Sequence, residues 1–465
     1  MLFNTVQYFV FLAVVLVAFY ASFPSSRKPL LLLASYFFYM SWNPKFIPLL
    51  LTLTLVDFIA AILIETVRPD RRKFALILSL VANLGFLAVF KYYNFLAGNL
   101  AELFGRPESA FFLAIVLPLG ISFHTFQSMS YVIDVYRGDQ RAIRNLLDYA
   151  LFIAFFPQLV AGPIIRAREF FADLFAWRLP TAEALQQGAF LVLLGLTKKM
   201  ALADQFAKVA DAYFRDVNAA PGMLSAWSGT LAFAMQIFFD FSGYTDIAIG
   251  CARVLGFHFP LNFARPYLAA SIADFWHRWH MSLSRWLRDY LYIPLGGNRH
   301  GQLHTYRNLM LTMLLGGLWH GASWNFIIWG GYHGLLLSIG RLIHEARGVV
   351  ERPPLAGLHP LRVLATFLLV CIGWVFFRAT TFADSVSVLC QMFSTQAGVW
   401  LLERRHLYFI LVSLALAVIE ERWNVFDRIM RAPRWAKVGA IAALLLWLEI
   451  FAVTDKSIPF IYFQF

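Results

Sequence analysis

Charge is what this chain has least of. Of its 465 residues only 14% are Asp, Glu, Lys or Arg, while 60% are hydrophobic. Soluble domains carry about 25% charged residues, so this chain cannot clothe a water-facing surface and reads as an all-α polytopic membrane protein. Cysteine is also scarce. The three present, Cys251, Cys371 and Cys390, sit in or beside apolar runs without metal-ligand spacing. That argues against a metal site, and they read as small buried hydrophobes. No G-x-S-x-G elbow, P-loop or dinucleotide fingerprint is present, which leaves no hydrolase nucleophile and no nucleotide cradle in view. No soluble insert is long enough to fold alone, so residues 1–465 read as one membrane-embedded domain. The first twenty residues have no basic lead and no A-x-A site, which points to a retained membrane helix rather than a cleaved signal peptide.

What is there is mostly apolar run. Spans of the length a bilayer needs, roughly 20 residues, occur at about 3–23, 29–41, 46–66, 74–97, 110–132, 146–164, 185–205, 224–254, 306–328, 325–342, 361–378, 406–420 and 436–454. They predict 11 to 13 crossings or re-entrant pieces. The net charge of +12 is the positive-inside excess of a membrane protein, not a nucleic-acid footprint. Basic loops follow so many runs that some segments must re-enter, and re-entrant backbone needs cover from protein or a water-filled cavity.

Polar residues interrupt the runs in a few places. Gly120–Arg137 carries Ser122, His124, Thr125, Gln127, Ser128 and Ser130, and Phe155–Arg166 holds two prolines and Gln158. These fit either a kinked helix tied by inter-helix hydrogen bonds or a cavity lining. Asp240 and Asp246 stand in the apolar stretch FDFSGYTDIAIG. Structural ion pairs are favoured for them over a metal pair, since no His or Glu cluster lies nearby.

Ser271–Arg299 begins with the S-x-x-D spacing of a helix start. Trp276, Trp279, Leu283, Trp286, Leu287 and Tyr290 share one face; Arg278, Ser282, Arg285, Arg288 and Asp289 fill much of the other, with Arg285 and Asp289 spaced to pair. The pattern predicts one helix lying in the membrane interface, with its tryptophans at headgroup level. Alternatively it is a lid whose arginines attract an anionic ligand.

The stretch Asn308–Gly340 has no charged residue, yet it holds His320, His333, Asn308 and Asn325. Buried polar groups in a span are costly and often functional. His320 can serve as general base, as proton relay, or simply as a paired buried side chain. In a straight helix, thirteen residues put His320 and His333 about 140° and roughly 20 Å apart. Gly321 and Gly330-Gly331 soften that constraint.

FWHRWHMSLSRWLRDYLYIPLGGNR (Phe275–Arg299) and GGLWHGASWNFIIWGGYHG (Gly316–Gly334) resemble the membrane-bound O-acyltransferase family. GISFHTFQSMSYVIDVYRG, FFPQLVAGPIIR, FDFSGYTDIAIG, IGWVFFR and the closing FIYFQF support the likeness along nearly the whole chain. The resemblance implies a ring of helices around a central funnel, with His320 as the catalytic histidine. It places Arg278, His280, Ser282, Arg285, Arg288, Asp289 and Asn325 on the donor side or tunnel, and leaves His333, Asp240 and Asp246 as secondary residues. It implies no bound cofactor and no metal, with acetyl-CoA or another acyl thioester as co-substrate.

Within the family the chain is most like the branch that passes acetyl across a bacterial inner membrane to periplasmic acetyltransferase partners for O-acetylation of exported alginate. Peptidoglycan or cellulose acetylation and teichoic-acid D-alanylation are the alternatives. YIPLGGNR (Tyr292–Arg299) resembles the acetyl-transferring branch more than the D-alanyl one. Outside enzymology, the alternatives are a proton-coupled transporter relaying through His320, Asp240 and Asp246, or a membrane scaffold.

Overall fold

The computed structural model describes residues 1–160, 162–346, 359–454 and 458–461, and its regular elements are all helical. Ala161 and the last four residues of the FIYFQF motif lie outside the described residues. Four helical stretches are long and apolar enough to cross a membrane: Pro44–Thr66, Pro69–Leu103, Trp324–Ala346 and Pro360–Arg378. The chain forms two units, Met1–Gly188 with Ala248–Pro260, and Ala189–Ile247 with Leu261–Phe465.

The first unit contains α1 (Val6–Ala21), α2 (Pro24–Met40), α3 (Ile47–Thr66), α4 (Pro69–Leu87), α5 (Tyr93–Leu103), α6 (Ile121–Arg137), α7 (Leu146–Ala154), α8 (Phe156–Leu159) and α9 (Ala167–Phe175). Its core is knit by polar groups as well as by rings. Asp57 on α3 is wholly buried and accepts from Ser79 Oγ at 2.5 Å and Asn83 Nδ2 at 2.8 Å, both on α4. The run at 110–132 is not a single span. Residues 112–120 are non-helical, and α6 starts only after Gly120, whose φ of +71° and close approach to the Leu159 carbonyl admit no side chain.

The run at 146–164 breaks as well. Phe156 N–H donates to Ser35 Oγ (3.1 Å) instead of continuing the ladder. The Phe152 carbonyl it would have met takes Gln127 Nε2 at 2.8 Å and Gln158 Nε2 at 2.6 Å. The proline break therefore has its freed carbonyl satisfied by two buried amides, which is the kinked-helix reading for Gln127 and Gln158.

α10 (Ala182–Leu196) and α12 (Met223–Val254) contribute residues to both units. The second unit otherwise holds α11 (Asp204–Arg215), α13 (Ile272–Arg278), α14 (Met281–Leu287), α15 (Gln302–His320), α16 (Trp324–Ala346), α17 (Pro360–Arg378), α18 (Phe382–Met392), α19 (Arg404–Trp423), α20 (Val425–Arg431) and α21 (Arg434–Phe451). A π-helical segment, Thr197–Ala203, joins α10 to α11.

The run at 306–342 is two helices. α15 ends at His320, Gly321 is extended, and α16 runs back along it from Trp324. Gly330 makes the antiparallel contact possible. A Cβ there would strike the Met313 carbonyl and lie 3.1 Å from Leu314 Cα, so only a residue without a side chain lets the two backbones approach this closely.

Candidate functional site

The Ser271–Arg299 stretch folds otherwise than as one surface helix. Ser271 Oγ caps it by accepting Asp274 N–H at 3.1 Å, but α13 stops at Arg278 and α14 starts at Met281. Between them His280 takes φ +42°, ψ +53°, a left-handed conformation that a residue with a Cβ holds only when its surroundings fix it. Asn262 does the fixing. Its Oδ1 accepts Ser282 N–H at 3.0 Å and Ser282 Oγ–H at 2.9 Å and meets His280 Nδ1 at 3.3 Å, while its backbone carbonyl accepts Met281 N–H at 2.9 Å. Because that oxygen already accepts, the ring nitrogen facing it is the donor. The proton sits on Nδ1, and Nε2 is the basic nitrogen of His280.

The aromatic face of this stretch packs into protein instead of lying open to a surrounding surface. Trp279, Leu283, Trp286, Leu287 and Tyr290 are buried in protein. Trp279 packs against Trp374 of α17 (4.9 Å between ring centroids) and against Phe263 (5.0 Å). Ring–ring packing inside the fold outcompetes the interface for these side chains.

His320 closes α15 and is 5% exposed. Trp319, Trp329 and Phe377 surround its ring at 5.0, 5.1 and 5.2 Å, and His280 lies 6.4 Å away. Phe241 of α12 packs edge-to-face with His280, ring centroids 4.7 Å apart. The two imidazoles are thus neighbours within one cluster of aromatic rings. The turn after His320 also alters the geometry of a straight helix. Trp329 touches His320 on one side and His333 on the other, at 5.0 Å. His333 is wholly buried among Trp276, Trp329 and Tyr332, and neither ring nitrogen has a hydrogen-bond partner among the described residues.

The remaining sequence candidates divide by what holds them. Ser282 belongs to the Asn262 anchor. Asn325 Nδ2 donates to the Ala379 carbonyl at 2.9 Å, tying α16 to the end of α17. Arg278 is an internal clamp. It pairs with Asp274 at 2.8 Å on its own helix and with Glu421 of α19 at 3.0 Å, and Arg265 pairs with Glu421 as well.

Burial pushes the Glu421 carboxyl up, but Arg265 and Arg278 outweigh this and hold it below the ordinary carboxylate range. Burial lowers Arg278, and Asp274 with Glu421 more than restores it, so its pKa is raised. Arg288 is largely exposed and pairs with neighbouring Asp289 at 2.7 Å. Arg285 is half-buried on α14.

Asp240 and Asp246 are each held by a lysine. Lys199 bridges Asp240 (2.9 Å) and Asp204 (2.7 Å), and Lys198 meets Asp246 at 2.6 Å. Asp240 also accepts Ile461 N–H at 2.7 Å. Among the described residues no cluster of His, Cys, Asp or Glu has the form of a metal site.

Sequence reading missed Asn262. It lies eighteen residues before His280 in a loop, and no spacing rule links it to the W-H motif. Its position just after Phe259-Pro260, in the otherwise apolar stretch FPLNFA, was the only signal. Lys199 was missed as well, because it lies inside the apolar run at 185–205 and no local spacing links it to Asp204 and Asp240.

The family model described as MBOAT, membrane-bound O-acyltransferase family, matches residues 73–383. A probable alginate O-acetylase of Pseudomonas aeruginosa is 46% identical over 402 residues, covering 85% of this chain and 75% of its own length. One from Pseudomonas putida is 40% identical and covers 99% of both chains. A peptidoglycan O-acetyltransferase of Helicobacter pylori is 39% identical over 80% of this chain and 75% of its own.

Proposed function

Because the chain belongs to the membrane-bound O-acyltransferase family and is a membrane O-acyltransferase, we propose that it transfers acetyl from a cytoplasmic acyl thioester, acetyl-CoA, toward an exported polysaccharide, alginate first among the candidates. The observation that carries this reading is the buried histidine pair: the rings of His320 and His280, with centroids 6.4 Å apart, lie within a cluster of aromatic side chains. A donor that brings its own activated acyl group needs no protein nucleophile. It needs a base, a positioned hydroxyl and shelter from water.

In this reading His320 accepts the proton of the attacking hydroxyl as its oxygen adds to the thioester carbonyl. The C–S bond then breaks, and the thiolate leaves as thiol by taking that proton back. His280, oriented by Asn262 with Nε2 unprotonated, steers the hydroxyl. The aromatic wall excludes water, which would otherwise hydrolyse the thioester.

Identity with the alginate O-acetylases over 85% or more of this chain supports a polysaccharide acceptor. The peptidoglycan O-acetyltransferase keeps a second cell-envelope polymer in play. The bacterial relatives support an inner-membrane location, and in this reading periplasmic partners complete delivery. The lysine partners of Asp240 and Asp246 weigh against the proton-relay transporter, since a carboxylate fixed by a lysine is a poor relay.

The test is label transfer. Membranes holding wild type or His320→Ala at matched folded levels receive radiolabelled acetyl-CoA, and label is followed into polymer or a periplasmic protein. Loss of a general base costs about 10²–10⁴-fold, so the mutant is expected to transfer at background. Equal transfer in both proteins sinks the role of His320.

A further inference from the structure

The elbow where α19 meets α20 and α21 has the form of a ligand site that the acyl-transfer reading does not use. Arg422, Trp423, Asn424, Asp427, Arg428 and Arg431 line a surface depression of about 260 Å³. Its shape comes from Asn424, which ends α19 at φ +45° and turns the chain into α20. α20 then lies with Met430 buried and Phe426 against Phe190 at 5.8 Å, which directs its arginines outward.

The charge there is only partly compensated. Of the nearby acids, Glu421 is taken by Arg265 and Arg278, and Glu420 Oε2 is taken by Phe426 N–H at 3.1 Å in the first turn of α20. Arg422, Arg428 and Arg431 make no ion pair and no side-chain hydrogen bond with described residues. Asp427 offsets only one of the three.

The surroundings say which anion fits. α19 exposes Leu411, Leu414 and Leu416, and α21 exposes Val438, Leu445, Leu446 and Ile450. In a membrane protein such rows face acyl chains. The elbow therefore sits where apolar helix surface gives way to charge, with Trp423 and Trp435 exposed beside it, as aromatic side chains are at a bilayer interface. Guanidinium groups take phosphate oxygens in paired hydrogen bonds.

We propose that the α19–α20 elbow binds the phosphate of an anionic lipid headgroup, with Arg422, Arg428 and Arg431 as its ligands and the exposed leucine rows of α19 and α21 beneath its acyl chains. The shared chemistry is a phosphate group; the leucine rows and the two tryptophans assign it to lipid rather than to a free phosphate.

The test uses the full chain in phosphatidylcholine vesicles that contain a minor share of spin-labelled phosphatidylglycerol. The fraction of label immobilised by protein is read by electron spin resonance. A parallel series carries spin-labelled phosphatidylcholine. Wild type is compared with Arg422→Gln/Arg428→Gln/Arg431→Gln, and with the same three positions changed to lysine. Each variant is first checked for a wild-type thermal transition.

The expected result is a preference for phosphatidylglycerol in wild type and in the lysine variant. It falls about fivefold or more in the glutamine variant, the equivalent of one charge at about 1 kcal/mol, and phosphatidylcholine binding does not change. Equal preference in wild type and the glutamine variant overturns the proposal. So does a wild-type preference abolished by inorganic phosphate but not by sodium chloride of the same ionic strength, which would assign the elbow to free phosphate.

Discussion

Asn262 Oδ1 faces three donors at once, and the conformation of His280 depends on that oxygen. Replacing Asn262 with Ala leaves the Ser282 N–H, the Ser282 hydroxyl and the His280 ring without an acceptor in a buried place. Each such loss costs about 1–3 kcal/mol. A left-handed residue released from its anchor then relaxes toward ordinary backbone. Asn262→Ala is therefore expected to lower the melting midpoint and to cut acetyl transfer at saturating donor. Asn262→Asp, which keeps an acceptor oxygen in place, is expected to retain more of both. Transfer assays and melts of the two variants check this, and a silent Asn262→Ala refutes the anchor. Sequence made His320 legible as a candidate because its motif is local: a histidine in an uncharged span, beside tryptophan and glycine. Asn262 was not legible because its role exists only through a contact across eighteen residues.

Among the elements, α15 and α16 show how a run too long for one span resolves into a hairpin. The glycines were visible in sequence, but whether they kink a helix or pack two together depends on where the chain turns back. Gly330 decides it by meeting the backbone of α15 at Met313 and Leu314. Gly330→Ala is expected to cost about 1–3 kcal/mol through overpacking and to lower transfer by moving His320. Gly340 lies on the same helix with nothing within 4 Å of its missing Cβ. Gly340→Ala is expected to be neutral or stabilising by about 0.5–1 kcal/mol. Thermal melts of the pair separate the packing effect from helix propensity. The clamp between α13 and α19 makes a second prediction at this scale. The Glu421 carboxyl has a folded pKa below its ordinary 4.5, so its stabilising effect is fully present above that pH and is lost as pH falls through the folded value. Melting midpoints measured across acid pH are expected to drop in wild type below about pH 4.5. Glu421→Gln, with no carboxylate to titrate, lacks that part of the drop and starts lower at neutral pH.

For the molecule as a whole, the apolar runs gave the helical class and most helix positions, because burial from water is written in composition. The breaks at 112–120 and at Phe155 were less legible, since each depends on partners from distant sequence, whereas the glycine itself marked the one at Gly321. The ion pairs of the second unit belong to the same class of long-range fact. Lys199, Asp204 and Asp240 are all buried, and one ammonium serves two carboxylates. Asp240 also holds Ile461 N–H, while the Met200 carbonyl accepts Val453 N–H at 3.0 Å. The π-helical segment around Lys199 thus fastens the last described residues of the chain, and Phe460 stacks on Tyr244 at 4.2 Å and approaches Phe241 at 5.7 Å, the ring that touches His280. Removing one member of a buried ion pair costs about 3–5 kcal/mol, because the partner charge stays behind. Lys199→Met, which strands two carboxylates, is expected to be more damaging than Asp204→Asn, which leaves a one-to-one pair with Asp240. Asp240→Asn keeps the lysine paired with Asp204 but weakens the acceptor for Ile461. It is expected to loosen the C-terminal segment first, read as faster hydrogen exchange at residues 458–461 with a modest fall in melting midpoint. If Asp240→Asn leaves exchange there unchanged, the segment is held by the stacking of Phe460 and not by the buried charges.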